Sequence, residues 1–186
     1  MHTSSYNLMA WFAKKYLKSD SLILDFGGSD INGSYRKIFE KRGATYKTLD
    51  WDKADYIING YDWSHIPENT FDMVISGQAF EHDKFFWKTL ENIKKILKPN
   101  GIVMIIVPTK GGFHRYPIDC YRFYADSAIP FSEILDAEIL EVVWNSEKAR
   151  DLVQMSAEHE SYNLFKFSHQ YDTDWGDLGM VFKLNQ

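Results

Sequence analysis

Residues 22–28 have the sequence Leu22-Ile23-Leu24-Asp25-Phe26-Gly27-Gly28, a short apolar run that two glycines close. An apolar run of this length, bounded by a turn signal, predicts a strand that is buried on both faces of a sheet. The glycines allow the chain to turn tightly and to approach a ligand without a Cβ in the way. We therefore expect the first strand of an α/β sheet here, with a ligand-binding turn at its end.

Strands and helices alternate along most of the chain on either side of this turn. The pattern predicts strands at 22–26, 45–49, 56–58, 71–76, 102–107, 138–144 and 180–184, and helices at 6–17, 34–42, 85–97 and 127–135. Such alternation is typical of parallel βαβ units, and right-handed crossovers then give a doubly wound sheet with helices on both faces. We expect Pro108 to end the strand at 102–107.

Length and composition are those of an ordinary globular domain. The chain has 186 residues, of which 45% are apolar, enough for one domain with its own core. We predict a single domain over 1–186, beginning with a helical segment at 1–20. The polar segment 145–179 has little periodicity, and we predict that it is an insertion between the last two strands.

Charge, cysteine content and hydropathy limit the partners and the compartment. The net charge is -5 and the basic residues are scattered, whereas duplex binding needs a dense basic face, so a nucleic-acid partner is disfavoured. No stretch of about 18 apolar residues occurs, so no membrane span is predicted.

Cys120 is the only cysteine, and we expect it to be a buried small hydrophobe. The absence of a disulfide and of a signal peptide favours a cytoplasmic location.

Polar residues follow the first two predicted strands, where an open α/β sheet binds its ligands. The turn at 25–33 precedes a helix whose free N–H groups favour an anionic group. Asp50 ends the second strand, at the position where an acid accepts hydrogen bonds from the ribose hydroxyls of a nucleoside, with Trp51 beside it to cover the base. The alternatives are an ordinary strand–helix turn, a helix N-cap at Asp50 and core packing for Trp51.

Three longer segments carry a resemblance to a known family. They are residues 22–39 (LILDFGGSDINGSYRKIF), 71–82 (FDMVISGQAFEH) and 90–124 (LENIKKILKPNGIVMIIVPTKGGFHRYPIDCYRFY). Together they resemble the class I S-adenosylmethionine-dependent methyltransferases, and most of all the methyltransferase-11-like group found among glycan and surface-polysaccharide genes. The resemblance covers about residues 21–143 and implies a Rossmann-like sheet of seven strands in the order 3-2-1-4-5-7-6, with strand 7 antiparallel.

The resemblance also implies S-adenosylmethionine as the cofactor and S-adenosylhomocysteine as its product. Gly27 matches the first glycine of the family's motif, whereas Ser29 and Ile31 occupy the later glycine places. Asp62 is expected at the adenine amino group and Gln78 near the methionine end. The expected cofactor-binding residues are Asp25, Gly27, Gly28, Ser29, Asn32, Gly33, Asp50, Trp51, Asp62, Trp63 and Gln78.

Methyl transfer is an in-line displacement in which the protein mainly positions both partners. A hydroxyl acceptor needs a base of near-neutral pKa, which histidine provides. His82, after the fourth strand, and His114, in the loop after the fifth, are therefore the predicted catalytic residues. The alternative for His82 is a hydrogen bond that caps the next helix. The predicted substrate-binding residues are Glu81, Arg115, Tyr116, Asp119, Arg122 and Tyr124.

Two interpretations of the loop after the fifth strand stay open. Arg115 and Arg122 are suited to binding a carboxylate or phosphate of the substrate. Alternatively, Asp119 and these arginines form an internal ion-pair network that shapes the loop. No metal site is predicted, because the acids near His159 and His169 do not have the spacing of zinc or facial-triad sites.

The sequence thus predicts a methyltransferase that uses S-adenosylmethionine and acts on a small molecule or a sugar, at an oxygen atom. A non-catalytic scaffold that only binds the cofactor is a second hypothesis. A small NAD-dependent oxidoreductase is a third, disfavoured because a dinucleotide fold needs a second mononucleotide half. A homodimer that completes the substrate pocket is left open, since no sequence feature fixes the oligomeric state.

Overall fold

The protein is built on one mixed sheet of eight strands. The computed structural model describes residues 3–30, 33–146, 153–155 and 175–185. The strands are β1 (Leu22–Phe26), β2 (Thr45–Asp50), β3 (Tyr56–Ile57), β4 (Phe71–Gly77), β5 (Leu97–Lys110), β6 (Ala137–Ser146), β7 (Val153–Met155) and β8 (Gly176–Leu184). The helices are α1 (Thr3–Tyr16), α2 (Arg36–Glu40), α3 (Phe86–Ile96) and α4 (Ala128–Leu135).

The strand order is β3-β2-β1-β4-β5-β8-β6-β7. Strands β1 to β5 pair in parallel, and β8 lies antiparallel between β5 and β6. Apart from β7, this is the predicted order, with the last strand of the chain between the fifth and the sixth. The predicted Rossmann-like, doubly wound sheet is therefore confirmed.

The short strand β7 is the one addition to the predicted sheet. It lies within the predicted insertion 145–179 and pairs antiparallel with β6 at the edge of the sheet. Residues 147–152 and 156–174 of that segment lie outside the described residues. The insertion, and the single domain over 1–186, stay predictions.

Both faces of the sheet are buried, as the continuous apolar runs predict. Along β5, Val103 and Ile105 join a core cluster shared with α3 and α4, whereas Met104 joins one shared with α1 and α2. Successive side chains of a strand point to opposite faces, so a run with no polar residue needs cover on both sides. The helices supply this cover and leave the carboxyl ends of the strands open.

Three predicted details are wrong. Helix α1 begins at Thr3, earlier than expected, and buries Leu8, Met9, Phe12 and Ala13. Pro108 does not end β5, which continues to Lys110 paired with β8. Its missing N–H is tolerated because the pairing with β4 has already stopped at Ile106. Cys120 is exposed, because its backbone N–H is bound to the carbonyl of Glu81 while its side chain faces outward.

Over the described ranges, no helix is both long and apolar enough to cross a membrane.

Candidate active site

A cavity of about 810 Å³ opens at the carboxyl ends of the parallel strands. It lies where the strand order reverses between β1 and β4, which is the usual ligand position in an open α/β sheet. Ligand pockets commonly measure about 300–1,000 Å³, so this cavity has the size of a small-molecule site. The predicted site residues that line it are Asp25, Gly27, Gly28, Ser29, Gly33, Asp50, Trp51, Gln78, Glu81, His82, His114, Arg115 and Tyr116.

The turn after β1 forms a backbone cradle at one end of the cavity. Gly27 has a φ of +81°, and a Cβ there would lie 2.6 Å from the Cβ of Ala79. A Cβ at Gly28 would lie 2.8 Å from an oxygen of the Asp25 carboxyl group. Only glycine fits at these two positions, so bare backbone faces the cavity. Asn32, another predicted residue of this turn, lies outside the described residues.

Asp50 and Trp51 both line the cavity at the end of β2. The Asp50 carboxylate accepts hydrogen bonds from the backbone N–H groups of Trp51, at 2.7 Å, and Ser29, at 3.3 Å. A carboxylate has about four lone-pair sites, so acceptor capacity is left for a ligand. No helix starts here, which removes the N-cap alternative for Asp50. Trp51 is 52% exposed, which removes the core alternative for its ring.

Asp25 is buried beneath the glycine turn and accepts a hydrogen bond from the hydroxyl of Tyr46. Burial raises the pKa of Asp25 from its ordinary value of 3.8 to about 7, and the negative charge of Asp50 acts in the same direction. This carboxyl group therefore supports the turn from below and holds its proton more tightly than an exposed aspartate.

The segment after β3 faces the cavity through other residues than predicted. Asp62 accepts a hydrogen bond from the backbone of Ser64 at 3.0 Å, and Trp63 packs against Phe26. Both line a separate cavity of about 290 Å³ and not the main one, and their contact with adenine stays a prediction. The residues of this segment that line the main cavity are Ile58, Gly60 and Tyr61.

Gln78 lies just after β4 and lines the middle of the cavity. Its amide Nε2 donates to Asp177 at 2.8 Å, while its buried Oε1 has no hydrogen-bond partner among the described residues. Asp177 itself is fully buried and also accepts from Ser4 and Trp175. The sequence did not point to Asp177, because the predicted strand began at residue 180 and left Asp177 in the predicted insertion.

At the other end of the cavity, Glu81, His82 and His114 lie together. The two histidine rings meet edge to face, with centroids 4.9 Å apart, and His82 Nε2 lies 3.6 Å from a Glu81 oxygen. His82 Nδ1 forms a hydrogen bond with the carbonyl of Ile118, so this histidine does not cap α3. Burial lowers the pKa of His82 and raises that of Glu81 to about 8.

Asp119 organises the loop that carries His114. It accepts two hydrogen bonds from Arg122, at 2.6 and 2.8 Å, and one from the backbone of His114 at 2.8 Å. The hydrogen bonds from Arg122 lower the pKa of Asp119 to about 2. This arrangement matches the ion-pair alternative for Asp119 and Arg122, and neither residue lines the cavity.

Of the remaining predicted residues, two lie at the mouth of the cavity and one does not. Arg115 and Tyr116 line it and are exposed, together with Lys84, which the sequence did not single out. Tyr124 is 62% exposed and lies outside the lining. Asp119, Arg122 and Tyr124 do not line the cavity in this structure, and their contacts with a substrate stay predictions.

The strand order and the cavity at the carboxyl ends of the strands are those of a Rossmann-like sheet with one ligand site. Residues 15–105 match the family of type 11 methyltransferase domains. This match covers just under half of the chain and supports the resemblance to the class I S-adenosylmethionine-dependent methyltransferases found in the sequence. The association with glycan genes stays a prediction. Among curated proteins, none matches this sequence.

Solved structures share the fold at low sequence identity. The YcgJ protein from Bacillus subtilis aligns with a TM-score of 0.68 and 11% identity over 100% of both chains. A 1,6-didemethyltoxoflavin-N1-methyltransferase from Burkholderia thailandensis aligns at 0.66 and 12%, over 98% of this chain and 79% of that one. Phosphoethanolamine N-methyltransferase 2 from Haemonchus contortus aligns at 0.65 and 16%, and this chain spans 52% of its length.

Proposed function

We propose that this protein transfers a methyl group from S-adenosylmethionine to a hydroxyl oxygen of a small-molecule acceptor, with a sugar as the first candidate. One observation carries the proposal: a single cavity joins the glycine turn and Asp50 at one end to His82 and His114 at the other. The cofactor and the acceptor would then share one water-poor space, with the reacting atoms between them.

The cofactor end has groups that fit the parts of S-adenosylmethionine. The carboxylate of Asp50 accepts hydrogen bonds from the ribose hydroxyls, and the exposed ring of Trp51 covers the adenine. The backbone cradle at Gly27 and Gly28 receives the methionine portion. The unpartnered Oε1 of Gln78 accepts a hydrogen bond from the amino group. When bound, the cofactor supplies an activated methyl group on a sulfonium.

The acceptor end has histidines in a suitable state to take a proton. The bond between His82 Nδ1 and the carbonyl of Ile118 leaves Nε2 as the acceptor nitrogen. The lowered pKa of His82 keeps its ring neutral near pH 7, which a general base requires. Arg115 and Lys84 at the mouth favour an acceptor that carries a carboxylate or phosphate.

The structural relatives support a small acceptor. By their names, the Haemonchus enzyme methylates phosphoethanolamine and the Burkholderia enzyme methylates 1,6-didemethyltoxoflavin, each at nitrogen. Amines therefore belong in the acceptor panel beside hydroxyl compounds, and transfer only to amines would contradict the choice of oxygen. The cytoplasmic location stays a prediction, and the homodimer stays an open alternative.

Calorimetric titration with S-adenosylmethionine, S-adenosylhomocysteine and NAD tests the cofactor. We expect binding of the first two at micromolar concentrations and none of NAD. Binding without turnover on any acceptor would favour the scaffold hypothesis, and binding of NAD alone would favour an oxidoreductase. Binding of none of the three would contradict the proposal.

The histidines are tested by His82→Gln and His114→Gln, with the exposed His65, which lies off the cavity, changed to Gln as a control. Loss of a general base typically costs about 10²–10⁴-fold in rate, so we expect turnover to fall and cofactor affinity to persist. Turnover is followed as release of S-adenosylhomocysteine across a panel of sugars, other hydroxyl compounds and amines. Equal turnover in all three variants would remove both histidines from the chemistry.

A further inference from the structure

The cluster of Glu81, His82 and His114 has a geometry that proton transfer alone does not require. One candidate ligand atom from each residue lies within 4.8 Å of the other two. The cluster joins two neighbouring residues to a histidine from a separate loop, so the fold brings it together where sequence spacing gave no metal signal. Two imidazoles and one carboxylate form the ligand set of catalytic zinc sites and of non-haem iron sites.

The hydrogen bond of His82 leaves its Nε2 as the nitrogen with a lone pair, and a donor Nδ1 at His114 would do the same there. His82 Nδ1 is bonded to the carbonyl of Ile118, and His114 Nδ1 lies 3.2 Å from the carbonyl of Gly112. A histidine that binds a metal usually donates its other ring N–H to a carbonyl or carboxylate, which fixes the tautomer and the ring orientation. His82 meets this requirement in the structure, and His114 has the carbonyl of Gly112 within reach for the same bond.

Glu81 is fully buried, and neither of its carboxylate oxygens accepts a hydrogen bond from the described residues. A buried carboxyl group without such partners either keeps its proton or binds a cation. Arg122 is the cation that acts on Glu81, but its guanidinium is already bound to Asp119 through two hydrogen bonds. Asp177 adds a further buried acid to the surroundings of Glu81. These acidic surroundings favour a cation at Glu81, and a bound metal ion would take the place of the carboxyl proton.

We propose that Glu81, His82 and His114 bind one divalent first-row transition-metal ion at the acceptor end of the cavity. Three protein ligands leave open coordination positions that face the space for the acceptor. Binding of the ion itself does not depend on methyl transfer, whereas its catalytic role rests on the proposed function.

In that role, the ion activates the acceptor in place of a histidine base. A hydroxyl group that binds a divalent cation has a lowered pKa and releases its proton to solvent. The oxygen then forms a bond to the methyl carbon, the carbon–sulfur bond breaks, and its electron pair stays on sulfur. His82 and His114 serve as metal ligands during this step. Losing either histidine therefore lowers turnover whether the histidines act as a base or as metal ligands.

The experiment is a titration of chelator-treated protein with Zn²⁺ by calorimetry and with Co²⁺ by visible absorption. We expect one ion per chain and a Co²⁺ spectrum with imidazole ligands. Glu81→Gln and His114→Gln should each weaken Zn²⁺ binding by at least about tenfold. His65→Gln, the matched control, should bind like the wild type, and circular dichroism checks that each variant is folded.

The outcomes separate this proposal from the proposed function. No ion binding by the wild type, or equal binding by folded His114→Gln, overturns the metal site even if S-adenosylmethionine binds. Ion binding that the variants weaken, without any binding of S-adenosylmethionine, keeps the metal site and overturns the proposed function. The catalytic role of the ion is tested with an acceptor that the wild type methylates. Loss of turnover with a chelator, and its recovery with Zn²⁺ or Co²⁺, supports this role. Turnover that the chelator does not affect contradicts it.

Discussion

Asp50 is held at the cavity by hydrogen bonds from two backbone N–H groups, so its carboxylate is already oriented before a ligand binds. We expect Asp50→Ala to weaken S-adenosylmethionine binding by about 1–3 kcal/mol, because charged hydrogen bonds to the ribose are lost. Calorimetric titration of the variant measures the change. Asp52→Ala is the matched control, since Asp52 is exposed and does not line the cavity. An unchanged dissociation constant in Asp50→Ala would rule out the ribose contact.

Gly27 and Gly43 allow the cost of a clash to be separated from the cost of backbone strain. Both have positive φ angles, +81° and +85°, but a Cβ meets the Cβ of Ala79 only at Gly27. Gly43→Ala should cost about 1–2 kcal/mol of unfolding free energy from the left-handed backbone alone. Gly27→Ala should cost more and should also weaken cofactor binding. Urea denaturation and titration of both variants check this, and equal losses of stability would show that the clash relaxes freely.

Individual site residues could be predicted where a strand fixes their place. Asp25 and Asp50 lie at the ends of buried strands, so the sheet dictates which edge they reach. Asp62 lies in a segment without periodicity, where neighbouring side chains enter different cavities: Tyr61 reaches the main one and Asp62 only the smaller one. No pattern in the sequence distinguishes these two neighbours, because the turn geometry decides the direction of each side chain.

Among the elements, α1 has a close fit to the sheet. A Cβ at Gly179 of β8 would lie 2.6 Å from Leu8 and 2.7 Å from Phe12, so the helix packs directly on bare backbone. Phe12→Ala should lower the free energy of unfolding by about 3–5 kcal/mol, because it opens a cavity in a fully buried contact. Urea denaturation measures the loss.

Trp11→Ala is the control for that contact, since Trp11 is only partly buried on the same helix. We expect a clearly smaller loss for it than for Phe12→Ala. A similar loss of unfolding free energy in both variants would mean that burial of apolar surface in general stabilises α1, and not the close packing at Gly179.

The elements also show the limits of prediction from sequence. The six apolar residues at 102–107 indicate a central strand without ambiguity, and β5 is that strand. The pairing of Asp177 with Gln78 joins residues that are far apart in the chain, because β8 returns antiparallel beside β5. The grouping of Glu81 with His114 depends in the same way on how one loop folds over another. Such contacts follow from the topology of the sheet, and they cannot be predicted from the spacing of residues along the chain.

At the scale of the whole molecule, buried acids couple folding to pH. Burial raises the pKa of Asp25 from 3.8 to about 7, so the folded protein holds this proton more tightly than the unfolded chain. Between these two values the folded state binds more protons, and stability therefore falls as pH rises through this window. Glu81, whose pKa rises from 4.5 to about 8, acts in the same direction. Asp119 has a lowered pKa of about 2 and affects stability only at lower pH.

The variant Asp25→Asn isolates one of these contributions, because the amide keeps an acceptor oxygen for Tyr46 and does not titrate. We expect the wild type to lose about 1.4 kcal/mol more stability than the variant for each pH unit between about pH 5 and about pH 7. Urea denaturation of both proteins across this range gives the two slopes, with Asp52→Asn as the exposed control. Parallel slopes for the wild type and Asp25→Asn would show that Asp25 already ionises at its ordinary pKa. Burial would then not keep this carboxyl group protonated beneath the glycine turn.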